Sequence, residues 1–109
     1  MISKITVVAL LLAASVPAWS ADNVEELWKK NCLSCHGKDG RGETKAGRKA
    51  GTKDMTDAKY QADLSDEKAM TAIKEGMKED GKEKMKPFAG KLSDDEIKAL
   101  IAKVRSFKK

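Results

Sequence analysis

Histidine and cysteine are nearly missing from this chain: its 109 residues hold one histidine, His36, and two cysteines, Cys32 and Cys35. A structural zinc site takes four ligands, and beyond these three residues there is no other Cys or His to complete one. Large apolar side chains are scarce as well. After residue 20, Leu, Ile, Val and Phe together number twelve of 89 residues, about 13%, a level at which a charged chain is expected to stay disordered. So small a domain with so little core-forming material needs a disulfide, a metal or a cofactor to fill the deficit. No segment alternates apolar and polar residues with a period of two, so the expectation is an all-α domain. Internal repeats and blocks of like charge are absent too. The 21 basic and 17 acidic side chains after residue 20 differ by only four. With no helix-turn-helix, zinc-finger or aromatic-and-basic pattern, nucleic acid is not an expected partner.

The chain begins with one basic residue, Lys4, then a dozen mostly apolar residues from Ile5 to Val16, then Pro17, Ala18, Trp19 and Ser20. This is the pattern of a secretory signal peptide over residues 1–20, with small residues at Ala18 and Ser20 before the cut and Ala21 as the alternative cleavage position. A run of twelve is short of the roughly 20 residues that span a bilayer. The expectation is a mature domain over residues 21–109, exported to the periplasm, with no membrane span after cleavage.

Within that domain, Asp22 or Asn23 can cap a helix running to about Asn31, with Glu25 and Glu26 in its first turn and Val24, Leu27 and Trp28 on its apolar face. Residues 37–51 contain five glycines and no periodicity, which predicts a loop. A short helix is expected over residues 55–60. Ser65, Asp66 and Glu67 open another, with Met70 and Ile73 inward, Met77 a further candidate for that face, and Gly76 at its end. Ser93, Asp94, Asp95 and Glu96 form a capping box before the clearest helix, where Ile97, Leu100, Ile101, Val104 and Phe107 make one apolar stripe.

The chemistry lies in Cys32, Leu33, Ser34, Cys35 and His36. The C-x-x-C-H spacing is that of c-type haem attachment: two thiols reach the two vinyl groups of the porphyrin, and the adjacent imidazole binds the iron. A thiol oxidoreductase would place its C-x-x-C beside a βαβ pattern, which is missing here. With a single histidine, bis-histidine ligation within the chain is impossible. The second axial position falls to a methionine among Met55, Met70, Met77 and Met85, to a weaker donor, or to none. Methionine is more often a gap-filler than a ligand, and Met70 on an inward helix face fits that role. Met85 is the preferred candidate and Met77 the next. Met85 stands in a polar stretch two residues before Pro87, where extended backbone suits a strap across the far face of a ring.

Over the whole mature sequence the chain resembles the class I c-type cytochromes. The residues that carry the resemblance are the helix leading into Cys32 to His36, the loop Gly37, Lys38, Asp39, Gly40, Arg41, Gly42, and Leu64, Ser65, Asp66, Glu67. Lys84, Met85, Lys86, Pro87, Phe88 and the last helix from Ser93 complete the match. Many members place proline directly after the methionine, whereas Lys86 intervenes here. The resemblance implies a cytochrome c fold of three to five short helices wrapped around one covalently bound haem. It also implies His36 and Met85 as axial ligands to the iron, and a crossing of the first and last helices that pairs Val24, Leu27 or Trp28 with Leu100, Ile101 or Val104. The function expected is that of a soluble, monomeric one-electron carrier, not an enzyme. It would work at positive potential between redox protein partners. The alternatives are a haem subunit of a larger oxidoreductase complex and a ligand-binding or peroxide-reactive protein in which the methionine leaves the iron. The charge pattern itself leaves two readings of Lys78, Lys82, Lys84, Lys86 and Lys91, which Glu79, Asp80 and Glu83 dilute: a solvated loop, or a weakly basic rim that faces an acidic docking surface.

Overall fold

The computed structural model describes residues 21–109; the signal-peptide reading of residues 1–20 lies outside them. Six helices and one hairpin follow in the order α1 (Ala21–Asn31), α2 (Leu33–His36), α3 (Lys45–Ala50), α4 (Ala58–Asp63), α5 (Asp66–Glu75), β1 (Met77–Glu79), β2 (Lys82–Met85) and α6 (Asp94–Ser106).

The terminal helices α1 and α6 pack together as expected. The stripe Ile97, Leu100, Ile101 and Val104 is buried along α6. Leu100 and Val104 join Trp28 of α1 and Met55 in one cluster. Ile97 and Ile101 join Ala69 of α5 in a second. The box at the start of α6 is complete, with Ser93 accepting from Glu96 N–H and the Glu96 carboxylate accepting from Ser93 N–H at 2.9 Å. On α5, Ser65 is the N-cap and Gly76 the C-cap, and Met70 and Ile73 pack on the second cluster. The buried apolar residues of the described chain number nine, two of them alanines. That small core agrees with the scarcity of Leu, Ile, Val and Phe.

Three local expectations are corrected. Residues 37–51 are not all loop: α3 lies within them, with Thr44 as N-cap accepting from Gly47 N–H at 2.8 Å and Gly51 in the left-handed conformation as C-cap. The glycines masked this helix, but its caps are ordinary. The short helix expected over residues 55–60 starts three residues later, at Ala58, because the Asp57 carboxylate accepts from Tyr60 N–H and caps it there. Lastly, the domain is mainly helical without being wholly so. β1 and β2 pair antiparallel, closed by Asp80 and Gly81 with φ of 52° and 75°. Positive φ at both central residues is the tight hairpin turn for which Asp-Gly is a signal.

A polar knot around buried Gln61 joins α4 to α6. Gln61 Nε2 donates to the carbonyls of Met55 (2.7 Å) and Val104 (2.8 Å). Arg105 donates in turn to the Gln61 carbonyl (2.9 Å) and side-chain oxygen (3.1 Å), to the Leu64 carbonyl and to Asp66. Among the described residues no helix is long and apolar enough to cross a membrane.

Candidate functional site

The C-x-x-C-H segment is held from both ends. Cys32 N–H donates to Trp28 C=O at 2.8 Å, so α1 runs through Cys32 into α2 with a single break, and His36 N–H donates to Cys32 C=O at 2.9 Å. Past the motif, buried Trp28 Nε1 donates to Gly37 C=O at 3.0 Å, and Gly42 N–H donates to His36 C=O at 2.9 Å. Helix α3 closes the other side: Thr44 Oγ1 donates to Ser34 C=O at 2.6 Å. Gly47 lies so close that a Cβ there would run into Cys35 C=O and come within 2.5 Å of Gly42 C=O. Helix α3, which the glycines hid from sequence reading, is therefore the brace of the motif.

Both thiols are free and half-buried. Burial, and after it the neighbouring Cys35, push the Cys32 thiol up to about 11. Burial also lowers the His36 imidazole below its ordinary value. At neutral pH Cys32 is thus a thiol and His36 a neutral imidazole, the form that can donate a lone pair to a metal. His36 Nδ1 is buried with no hydrogen-bond partner.

On the far side, Met85 ends β2 and is half-buried. The strap that follows it is tied to the end of α5: buried Phe88 donates its N–H to Ile73 C=O at 2.9 Å and Ala89 to Lys74 C=O at 3.0 Å. Between strap and motif lies a cleft of about 430 Å³ lined by Cys32, Cys35, His36, Ala50, Thr52, Met85 and Phe88, among others. Behind it is a smaller apolar lobe walled by Trp28, Tyr60, Leu64, Ile73, Leu100 and Val104. Cys32, His36 and Met85 border both spaces. The cleft is within the range of about 300–1,000 Å³ usual for cofactor pockets. Two free thiols, a neutral imidazole and a thioether around one cleft, three of the four also bordering the apolar lobe behind it, suit a flat apolar group carrying a soft-ligand metal. The residues present therefore fit a haem.

The other methionines separate by position. Met55 is buried in the core under Trp28, and Met70 packs on the second cluster. Met77 borders the apolar lobe. Of the five lysines singled out near Met85, Lys84, Lys86 and Lys91 line the cleft, while Lys78 and Lys82 do not. Sequence reading missed Lys30, which the end of α1 adds to that mouth, and Tyr60, which α4 brings to the lobe. Nothing in their local sequence marks either one. Among the described residues no group of three or more His, Cys, Asp or Glu is arranged to hold a metal ion.

A family model described as cytochrome c oxidase, cbb3-type, subunit III matches residues 20–102. The solved structure of the KustC0563 c-type cytochrome is similar with a TM-score of 0.70 and 42% identity, covering 77% of this chain and 95% of that one. A point mutant of Kustc0563 gives a TM-score of 0.69 and 40% identity, covering 78% and 98%. No curated protein matches the chain. A C-x-x-C-H motif braced beside a cleft with an apolar lobe behind it, the helical frame around it and the reach of these matches all agree: the chain belongs to the c-type cytochromes, small haem proteins of electron transfer.

Proposed function

We propose that this chain is a periplasmic one-electron carrier holding a single haem c through thioethers to Cys32 and Cys35, with His36 and Met85 as axial ligands. The observation that carries this reading is the common wall: Cys32, His36 and Met85 border both the cleft and the apolar lobe behind it. Bound haem supplies the one-electron couple between ferrous and ferric iron. The chain's own residues do the rest. Trp28, Leu64, Leu100 and Val104 keep water from the inner face, which favours the less charged redox form. Phe88 and the bonds behind it hold the methionine strap in place. Thioether ligation raises the potential relative to two imidazoles, so a positive working potential is expected.

Lys30, Lys84, Lys86 and Lys91 surround the mouth, with Glu83 as the one acid lining it. This excess of positive charge supports docking to redox partners with acidic surfaces, with association rates that fall as salt rises. The name of the matched family favours one second reading, that of a haem subunit in an oxidase assembly. Export through a cleaved signal peptide at residues 1–20 accounts for the periplasmic placement.

Purified mature protein should gain the mass of one haem, show a low-spin spectrum with a thioether–iron band, and titrate as a single one-electron couple. The bare polypeptide mass would reject haem attachment. Fast carbon monoxide binding by the native ferrous protein would reject saturated His/Met ligation, and co-purification in a stable complex would favour the subunit reading over the free carrier.

A further inference from the structure

The hairpin sets a second thioether beside the first. Met77 and Met85 are register partners across the β1–β2 pair, with an irregularity in the ladder directly after Met77. Residues opposite each other in an antiparallel pair share one face, with Cβ atoms about 4.5–5.5 Å apart. Both methionines border the apolar lobe that His36 also borders. Gly76 fixes the approach: its φ of 74° and ψ of −173° bring β1 against the strap, where a Cβ would run into Met85 C=O and come within 2.9 Å of Pro87 N.

Met77 does not fill a gap. It borders the lobe and is 53% exposed, whereas Met55 is buried and Met70 packs on the core. A methionine outside the packed core retains the freedom of its three rotatable bonds. We infer that Met77 is a reserve axial ligand, whose Sδ takes the coordination position when Met85 is displaced. The inference rests on the His36/Met85 ligation proposed above. In the exchange one sulfur–iron bond breaks and another forms, and no proton or electron is transferred. Exchange between thioethers should therefore be independent of pH around neutrality.

The test uses haem-loaded Met85→Leu, Met77→Leu and the double variant, with Met85→Ala beside them in case the leucine prevents folding. The thioether–iron band and ferrous carbon monoxide binding are followed at several pH values around neutrality. Met77→Leu should keep the wild-type band. Met85→Leu should retain a shifted thioether band that does not vary with pH. The double variant should lose the band and bind carbon monoxide at least about tenfold faster than Met85→Leu, since a position that is filled is open for only a fraction of the time. If Met85→Leu and Met85→Ala lack the band and bind carbon monoxide as fast as the double variant, Met77 is no reserve, while Met85 ligation stands. Loss of the band in Met77→Leu alone would overturn the Met85 assignment itself. Survival of the band in the double variant would overturn both and point to Met55 or Met70.

Discussion

Replacing Gly76 with alanine should weaken the fold and loosen the methionine strap together. With φ of 74° and ψ of −173°, Gly76 occupies backbone space that is essentially closed to other residues, at a cost of order 1–3 kcal/mol. The added methyl would also press on backbone, not on a side chain that could turn away: Met85 C=O, Pro87 N at 2.9 Å and Lys86 C at 3.0 Å. Overpacking of that kind costs about 1–3 kcal/mol more. The sum, about 2–6 kcal/mol, is a large part of the 5–15 kcal/mol that stabilises a typical domain. At about 4–8 °C per kcal/mol for a domain this size, the unfolding midpoint should fall by at least about 8 °C. Thermal unfolding of the holoprotein, followed by circular dichroism and by the thioether–iron band, measures both effects. Gly81→Ala is the control, because Gly81 has φ of 75° but nothing within 4 Å of the place its methyl would take. It should show only the backbone cost, of about 1–2 kcal/mol. A Gly76→Ala protein that melts no lower than Gly81→Ala and keeps its band unchanged would refute the close approach of strap and hairpin.

Three further outcomes follow from the geometry. Gly47→Ala, which drives a methyl against Cys35 C=O, should lower the fraction of mature chain carrying haem, read by intact mass, while a substitution at open Gly51 leaves it nearly unchanged. With Cys32 and Cys35 changed to serine, the chain keeps only its nine-residue apolar core and should lose most of its helical dichroism; native-like helicity would contradict the view that the cofactor completes the interior. Asp94 pairs with Lys74 at 2.9 Å, and that hydrogen bond and charge hold its carboxyl below the usual value of 3.8. Its contribution is therefore present above about pH 4 and lost as pH falls through the lowered value, so Asp94→Asn should flatten the acid limb of the stability curve below about pH 4.

What was legible from the chain alone was whatever neighbouring residues decide among themselves. Cys32, Cys35 and His36 carry their chemistry in their spacing, and the Ser93 box and the stripe from Ile97 to Val104 define α6 through contacts three and four residues apart. The pairing of Trp28 with Leu100 and Val104 was also foreseeable, from the resemblance of the whole chain to a known frame. Helix α3 escaped notice because its glycines argue against a helix; Gly47 is tolerated there because the backbone of Cys35 leaves no room for a side chain. The hairpin escaped because polar residues on both faces erase the alternation, although Asp80-Gly81 was a turn signal in plain view. Tertiary structure alone decided that Lys30 joins Lys84, Lys86 and Lys91 at one mouth, and that Met77 stands across from Met85. Such juxtapositions depend on how distant segments approach one another, and no local pattern of residue types encodes that approach.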